Sequence, residues 1–472
     1  MYNVLEERWI AAIGNDGKTR EYGIRELLMA SPCLTDIAEE SPLTEYGIYR
    51  FLFTFLSDAY RPKTVDDIED LLDEEEFDEG VINRYIEECK LEGVTFDLFD
   101  ETHPFMQEVV PVDLRNEKSA AQLNPVIPTE TSRAFFNHGT DAVRAMTKKE
   151  IAKALPSTTL FPRGGAGYRS CISGEGLVFN IVAGKNLFET LVLGMVPVNI
   201  VSGYGEEDYG HPYYRKGGFE RGKEWRDVSL LYGLSFPIRE VHLFEEADSI
   251  KKMHFSRGMT PSVAHWRDPY VAYVADKEGK LHPMHAAQDT ATGSLVGQWR
   301  NIATIAHRNT GIRILENAKS MDSVRLVSYS IYVKNAIQDM QRAEFVLPLD
   351  MLIDERKNET IQAEVDYSQG VAKNLRNAIR STVNSMKTTV ADSVIRDYIY
   401  RYYANCEERF KEQVTGIPDI NKWQIETGET AISVFDEFVD HYCSNSKRIE
   451  EAVKRRNALF ASIVKMKGNE RH

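Results

Sequence analysis

The chain reads as an α+β protein: a large mixed N-terminal domain of irregular topology, residues 1–355, followed by an antiparallel four-helix bundle, residues 356–472. Three observations carry that reading. From residue 366 onward apolar residues return every three or four positions along successive stretches with short connections, as in amphipathic helices packed into a bundle. Before residue 355, short β-like runs alternate with helical stripes and with loops punctuated by proline and glycine. The composition, 42% hydrophobic, 27% charged and 10% aromatic over 472 residues, belongs to a folded chain with a sizeable core and not to a disordered, collagenous or disulfide-stapled one.

The elements follow in order. Val4 to Ile13 reads as a strand, and Gly14-Asn15-Asp16-Gly17 as a turn, because Asn and Gly supply positive φ. Ile24, Leu27 and Leu28 open a helix; Ile48, Phe51, Leu52, Phe55 and Leu56 mark a buried helical stripe. Between Glu101 and Leu160, prolines 104, 111, 125, 128 and 156 break the pattern into long loops of the kind that carry function. Leu177 to Val182 reads as a strand, followed by a helix through Leu191 and Val192 and a Gly/Tyr-rich loop from Ser202 to Gly222. Val241–Phe244, Tyr270–Ala275 and Val324–Val333 read as β-runs, with a hairpin signal at Lys277-Glu278-Gly279-Lys280. A long helical pattern over 366–415, with a break near Thr388-Thr389, is followed by stripes from Ala431 to Tyr442 and from Ile449 to Val464.

Charge excludes little once it is localised. The net charge is −15, but 16 acidic residues against Arg84 and Lys90 fall between Thr64 and Glu101, leaving the rest near neutral with room for basic grooves. The run Asp73-Glu74-Glu75-Glu76 reads as a solvated face. Five cysteines, at 33, 89, 171, 406 and 443, include no Cys-x-x-Cys, so neither a zinc ribbon nor a disulfide framework is expected. No apolar run approaches the ~18 residues of a membrane span, and the first residues carry no basic or apolar leader pattern; a cytoplasmic location is expected.

Among candidate sites, Phe161-Pro162-Arg163-Gly164-Gly165-Ala166-Gly167-Tyr168-Arg169-Ser170 is the most informative. Its glycines allow backbone to approach a ligand closely, and Arg163 and Arg169 suit phosphates. It matches neither the P-loop nor Gly-x-Gly-x-x-Gly, and by itself it also reads as a structural turn. His282-Pro283-Met284-His285 has two imidazoles, but the proline breaks the helix that would present them to a metal. His103 beside Pro104-Phe105-Met106 reads as a packed, hydrogen-bonded histidine. No nucleophile elbow or catalytic-thiol signature is present. His307-Arg308-Asn309-Thr310-Gly311-Ile312-Arg313 reads as a turn ending a β-rich region, with arginines and a polar tip suited to a DNA groove.

As an ordered set these segments resemble the CasA family, the large subunit of the type I-E CRISPR surveillance complex Cascade. Val4-Leu5-Glu6-Glu7-Arg8-Trp9-Ile10 is similar to the family's amino-terminal strand, and His103-Pro104-Phe105-Met106-Gln107 to its most recognisable pentapeptide. Ala134-Phe135-Phe136-Asn137 resembles its first long loop, Gly164–Ser170 its glycine loop, and Arg308-Asn309 the Arg-Asn of its wedge hairpin. The resemblance implies a non-catalytic subunit that checks a short protospacer-adjacent motif on duplex DNA and starts strand separation. Guide-RNA pairing then reads the remaining sequence. It implies Gly164, Gly165 and Gly167 as motif sensors and Arg163 and Arg169 as phosphate contacts. Lys252, or else Arg257, stands as the lysine finger. Phe135 and Asn137 meet the RNA 5′ handle and the complex. Arg308, Asn309, Thr310, Gly311 and Ile312 form the wedge, where Thr310-Gly311 replaces the family's usual Asn-Gln. The implied partners are guide RNA, double-stranded target DNA, the other Cascade subunits and a recruited helicase-nuclease. No cofactor is implied, and no zinc, since no cysteine lies between Cys171 and Cys406. The competing reading is a stand-alone phosphate- or nucleotide-binding enzyme using the Gly164–Gly167 loop with His103 or His282.

Overall fold

The computed structural model describes residues 1–124, 145–161, 172–200, 209–216, 224–225, 228–245, 249–261, 266–333, 337–385 and 390–469. The chain divides into two units, Met1–Ala286 with Ile312–Glu344, and Ala287–Gly311 with Phe345–His472. It is a mixed α+β fold with a helical C-terminal region, as its sequence pattern predicts.

In the first unit, β1 (Ile10–Gly14), β2 (Thr19–Tyr22) and β3 (Leu34–Ile37) form an antiparallel sheet in the order β2-β1-β3. The strand starts later than its sequence predicts. The amides of Glu6 and Glu7 both donate to the Asn3 carbonyl, which curls the chain where Val4 and Leu5 were read as extended. Trp9 is fully buried and donates its indole N–H to the Val4 carbonyl at 2.8 Å, closing that curl. The expected turn is present: Gly17 has φ +73° and the Gly14 amide reaches the Lys18 carbonyl.

After α1 (Ile24–Ala30) comes α2 (Pro42–Tyr60), buried from Leu43 to Asp58 on every face. Periodicity marks one apolar stripe; the other faces are buried as well because each charge on them finds a partner. Arg50 makes a two-pronged pair with Asp268, at 2.9 and 2.7 Å, and lies over the Tyr270 ring. Asp58 accepts from Tyr85 and Arg215, contacts His211 and pairs with Arg61. Such pairing is the condition for burying charge. Next, α3 (Val65–Asp73) starts in a Thr64–Asp67 capping box, and α4 (Glu79–Leu91) is capped by Asp78. Asp73 to Glu76 are exposed, as a solvated face requires.

The 103–107 segment is structural. Gln107 donates to the Leu98 carbonyl at 2.8 Å and accepts from the Leu243 amide at 2.9 Å, while Phe105 packs edge-on against Phe51. His103, read as packed, is instead exposed: its amide donates to Asp100 at 2.8 Å and its side chain stays at the surface. Beyond it, β4 (Glu117–Ser119) leads to α5 (Lys148–Ala154), which opens with a Thr147–Glu150 capping box. The all-buried β5 (Val178–Ala183) and α6 (Leu187–Leu193) follow as expected.

Further on, β6 (Glu224–Trp225), β7 (Arg239–Leu243), β8 (Lys252–Arg257) and β9 (Thr260–Pro261) form two small sheets, β4-β8-β7 and the parallel pair β6-β9. A hairpin of β10 (Tyr273–Ala275) and β11 (Leu281–Pro283) turns at Gly279, φ +80°, where the sequence signals it. The longest strands are β12 (Ser323–Val333) and β13 (Ile337–Pro348), in a sheet ordered β13-β12-β5.

The second unit is built on α7 (Glu355–Ser385), α8 (Asp392–Thr415), α9 (Ile420–Tyr442) and α10 (Ser446–Asn469). α7 ends at Ser385 and α8 begins at Asp392; the break expected near Thr388-Thr389 lies outside the described residues. Residues 287–311 belong to this unit too. Trp299, 1% exposed, packs on Phe410 (4.8 Å between ring centroids) and edge-on against Trp423 (6.3 Å). Arg300 lies over Tyr403 at 4.1 Å and pairs with Asp289 at 2.7 Å. No helix among the described residues is long and apolar enough to cross a membrane.

Candidate nucleic-acid interface

The glycine segment, with Arg163, Gly164, Gly165, Gly167 and Arg169, lies outside the described residues, as do Phe135 and Asn137. Both roots of the glycine segment are described. On the entering side a 3-10 turn, Leu155–Thr159, packs against α2. Gly47 is required there, because a Cβ would stand 2.9 Å from the Ser157 amide nitrogen. Phe161 then seats against Tyr46 and edge-on against Phe179 at 6.0 Å. On the returning side the Glu175 carbonyl meets His285 Nδ1 at 2.7 Å, and β5 begins three residues later. The glycine segment between is thus flanked by a buried anchor at Phe161 and by an exposed one at Glu175 and His285.

The cations expected beside it sit on β8, the middle strand of its sheet. Lys252 and Arg257 are exposed, whereas Met253, His254 and Phe255 between them are buried. Strand period places positions five apart on opposite faces, roughly 17 Å from end to end. Lys252 faces Glu117, with Nζ 3.0 Å from its carboxylate, and Arg257 registers with Arg239. The strand therefore does not bring the two together: one groove can use one of them.

Arg308, Asn309, Thr310 and Gly311 form a turn, but its flanks are helical: the short helix Ile302–Ile305 before it and the 3-10 turn Arg313–Ala318 after it. This corrects the β-rich setting expected for it. The Asn309 amide donates to His307 Nδ1 at 3.3 Å, and the Gly311 amide to the His307 carbonyl at 2.7 Å. Gly311 is obligatory because a Cβ would come within 2.3 Å of the Ile305 carbonyl. Arg308 and Asn309 are exposed and Thr310 half-buried, while Ile312 is 3% exposed and turned into the core.

A true hairpin lies elsewhere, in β12 and β13, whose strands lead to residues 334–336. β12 pairs with β5 from Arg325 to Ser330, leaving its last residues beyond that register. The sequence pattern predicts the first strand and not the second. The available signal was a polar Lys334-Asn335 between two β-runs.

The histidines of the enzymatic alternative are both exposed. His282 Nε2 pairs with the exposed Asp276 carboxylate at 2.9 Å, and this contact, with backbone amides, holds the Asp276 pKa below the ordinary range. Among the described residues no group of three or more His, Cys, Asp or Glu is placed to hold a metal.

Residues 3–434 match the family model described as CRISPR-associated protein Cse1. The chain is 26% identical over 336 residues to a CRISPR-associated protein CasA/Cse1 of Thermus thermophilus, an alignment spanning 68% of this chain and 63% of that relative's length. Its fold superposes on a crystal structure of CasA from Thermus thermophilus with a TM-score of 0.79, at 20% identity over 98% of this chain and 99% of the other. A chain from a structure described as a CRISPR RNA-guided surveillance complex gives a TM-score of 0.76 at 17% identity, over 97% and 99%. With most of its length inside the family model, the chain belongs to the CRISPR-associated Cse1 (CasA) family.

Proposed function

We propose that this chain is the non-catalytic large subunit of an RNA-guided, Cascade-type DNA-targeting complex. In this reading it senses the protospacer-adjacent motif on duplex DNA, starts strand separation and recruits a helicase-nuclease. The observation that carries it is the family match over residues 3–434. Motif sensing falls to Gly164, Gly165 and Gly167 with Arg163 and Arg169, joined by Lys252 or else by Arg257. Phe135 and Asn137 serve the contact with the RNA 5′ handle and neighbouring subunits.

Strand opening has two candidate elements. One is the turn Arg308–Gly311, where Asn309 is the exposed polar tip; Ile312 is excluded from base contact by its burial. The other is the β12–β13 ribbon, favoured because a wedge of the kind this family uses is a hairpin and the 308–311 turn is not one.

The test is binding of target duplex by the reconstituted RNA–protein assembly, with and without this chain, across a randomised flanking-motif library. The expected result is a motif preference that appears with the chain and disappears with Gly165→Asp, whose charge and bulk oppose a phosphate-lined groove. Unchanged preference would refute the reading. A stand-alone enzyme would instead bind a small phosphorylated ligand without partners. Alanine at Asn309 or at Asn335 separates the two opening elements: only the true one slows opening.

A further inference from the structure

A ribbon of two strands is marginal by itself, and where it leaves its sheet nothing in its backbone fixes its direction. β12 pairs with β5 as far as Ser330; beyond it the Ile331 amide reaches the Leu177 carbonyl at 3.3 Å, and Gly176 lies close against Ile331 and Val333. At its base the ribbon carries two arginines on adjacent strands. Arg342 donates to Glu45 of α2 at 2.8 Å and contacts Glu344 on its own strand. Arg325 reaches Asp36 of β3 at 3.1 Å and Glu344 at 3.5 Å. Asp36 also accepts the Tyr49 hydroxyl, and Glu45 the Tyr329 hydroxyl, so two carboxylates from the body of the unit and one from the ribbon are cross-linked by two guanidinium forks. Arg342 lies over Tyr329, the ring that stands between ribbon and helix.

Such a cluster is a poor way to add stability. Glu45 is 5% exposed, and burying it sets a desolvation cost against most of the Coulomb gain; an apolar contact of the same volume would hold at least as well. Directed forks give angular definition, because Arg binds carboxylate in a plane. We infer that Arg325 and Arg342, with Asp36 and Glu45, are positioning residues that set the angle at which the β12–β13 ribbon leaves the first unit. The inference rests on the ribbon being the strand-opening element.

The experiment uses the full chain in the reconstituted assembly, with a fluorescent base analogue in the first target base pairs beside the motif. Arg342→Lys keeps the charge and loses the fork; the pair Arg342→Met with Glu45→Gln removes both charges and so leaves no buried ion orphaned. For both, opening is expected to slow at least tenfold, while initial affinity for motif-bearing duplex stays within twofold and thermal melting of the chain within a few degrees. Opening at the parent rate, in a background where Asn335→Ala slows it, overturns the positioning role and leaves the ribbon's function standing. A melting loss that accounts for the slowing also overturns it, since the cluster would then be structural only. If Asn335→Ala and Lys334→Ala leave opening untouched, the ribbon is not the opening element and the inference falls with that reading.

Discussion

Glu364, in α7, is a carboxyl with nothing among the described residues to balance it. Its side chain is 0% exposed and neither of its oxygens has a hydrogen-bond partner. Its backbone carbonyl is taken by the Trp423 indole at 2.7 Å, and Asp419, the N-cap of α9, adds a like charge. Burial first, and Asp419 second, push its pKa up to about 8. The folded protein therefore holds a proton that the unfolded chain, with the group near 4.5, gives up. A raised folded pKa means stability that is fully present below about pH 4.5 and lost as pH rises to about 8.

The size follows directly. At pH 7.5 the unfolded carboxyl has passed its ordinary pKa by about three pH units while the folded one stays mostly neutral, which at about 1.4 kcal/mol each is about 4 kcal/mol. Glu364→Gln has nearly the shape of the protonated acid and no proton to lose. Urea unfolding of the second unit, followed by helical circular dichroism from about pH 4 to about pH 9, should show parent and variant close together at the acid end. They should separate progressively until the variant is more stable by about 3–4 kcal/mol near pH 8. Glu108 in the first unit, whose pKa burial also raises to about 8, contributes the same sign of slope to both proteins and cancels in the difference. A variant that tracks the parent across the range, or is the weaker one near pH 8, refutes the argument.

Three further outcomes are expected. Arg50→Met leaves Asp268, 1% exposed, without its guanidinium and should cost about 3–5 kcal/mol in chemical denaturation; adding Asp268→Asn should recover most of that. Gln107→Ala orphans the Leu98 carbonyl and the Leu243 amide and should cost about 2–6 kcal/mol, at roughly 1–3 per buried group, read by thermal melting at fixed pH. Lys252→Ala breaks an exposed ion pair and should leave stability within about 0.5 kcal/mol, yet lower the slope of log affinity for duplex against log salt by about one.

The parts of the fold that were legible in the sequence are those made by neighbours in the chain. Helical spacing at 366–415, 431–442 and 449–464 became α7 to α10, and Lys277-Glu278-Gly279-Lys280 became a tight hairpin. What was not legible depends on partners far along the chain. The buried polar faces of α2 exist because Arg50 meets a residue 218 positions away and Asp58 one 153 away. Residues 287–311 join the helical unit through Trp299, whose partners Phe410 and Trp423 follow more than a hundred residues later. Of the candidate site, the exposure of Lys252, Arg257, Arg308 and Asn309 follows from residue type. Their separation by strand period and by helical flanks does not. The ribbon was half seen because Val333-Lys334-Asn335-Ala336-Ile337 carries no glycine to announce its turn.

Arg50 and Asp268 tie these two kinds of information together. Asp268 receives both prongs of Arg50, the Tyr270 amide at 3.0 Å and, at 3.5 Å, the hydroxyl of Ser173 on the returning side of the glycine segment. The entering side rests, through Phe161, on Tyr46, one helical turn from Arg50 on α2. One helix thus holds both roots of the glycine-rich segment. If the segment senses the motif, the buried pair is part of what keeps its two ends at a constant spacing. Arg50→Met should then weaken motif preference in the assembly more than Gln107→Ala does at matched loss of melting temperature, since Gln107 braces the 98–107 segment and β7 and touches neither root. Equal losses of preference from the two substitutions would mean that stability alone governs the loop.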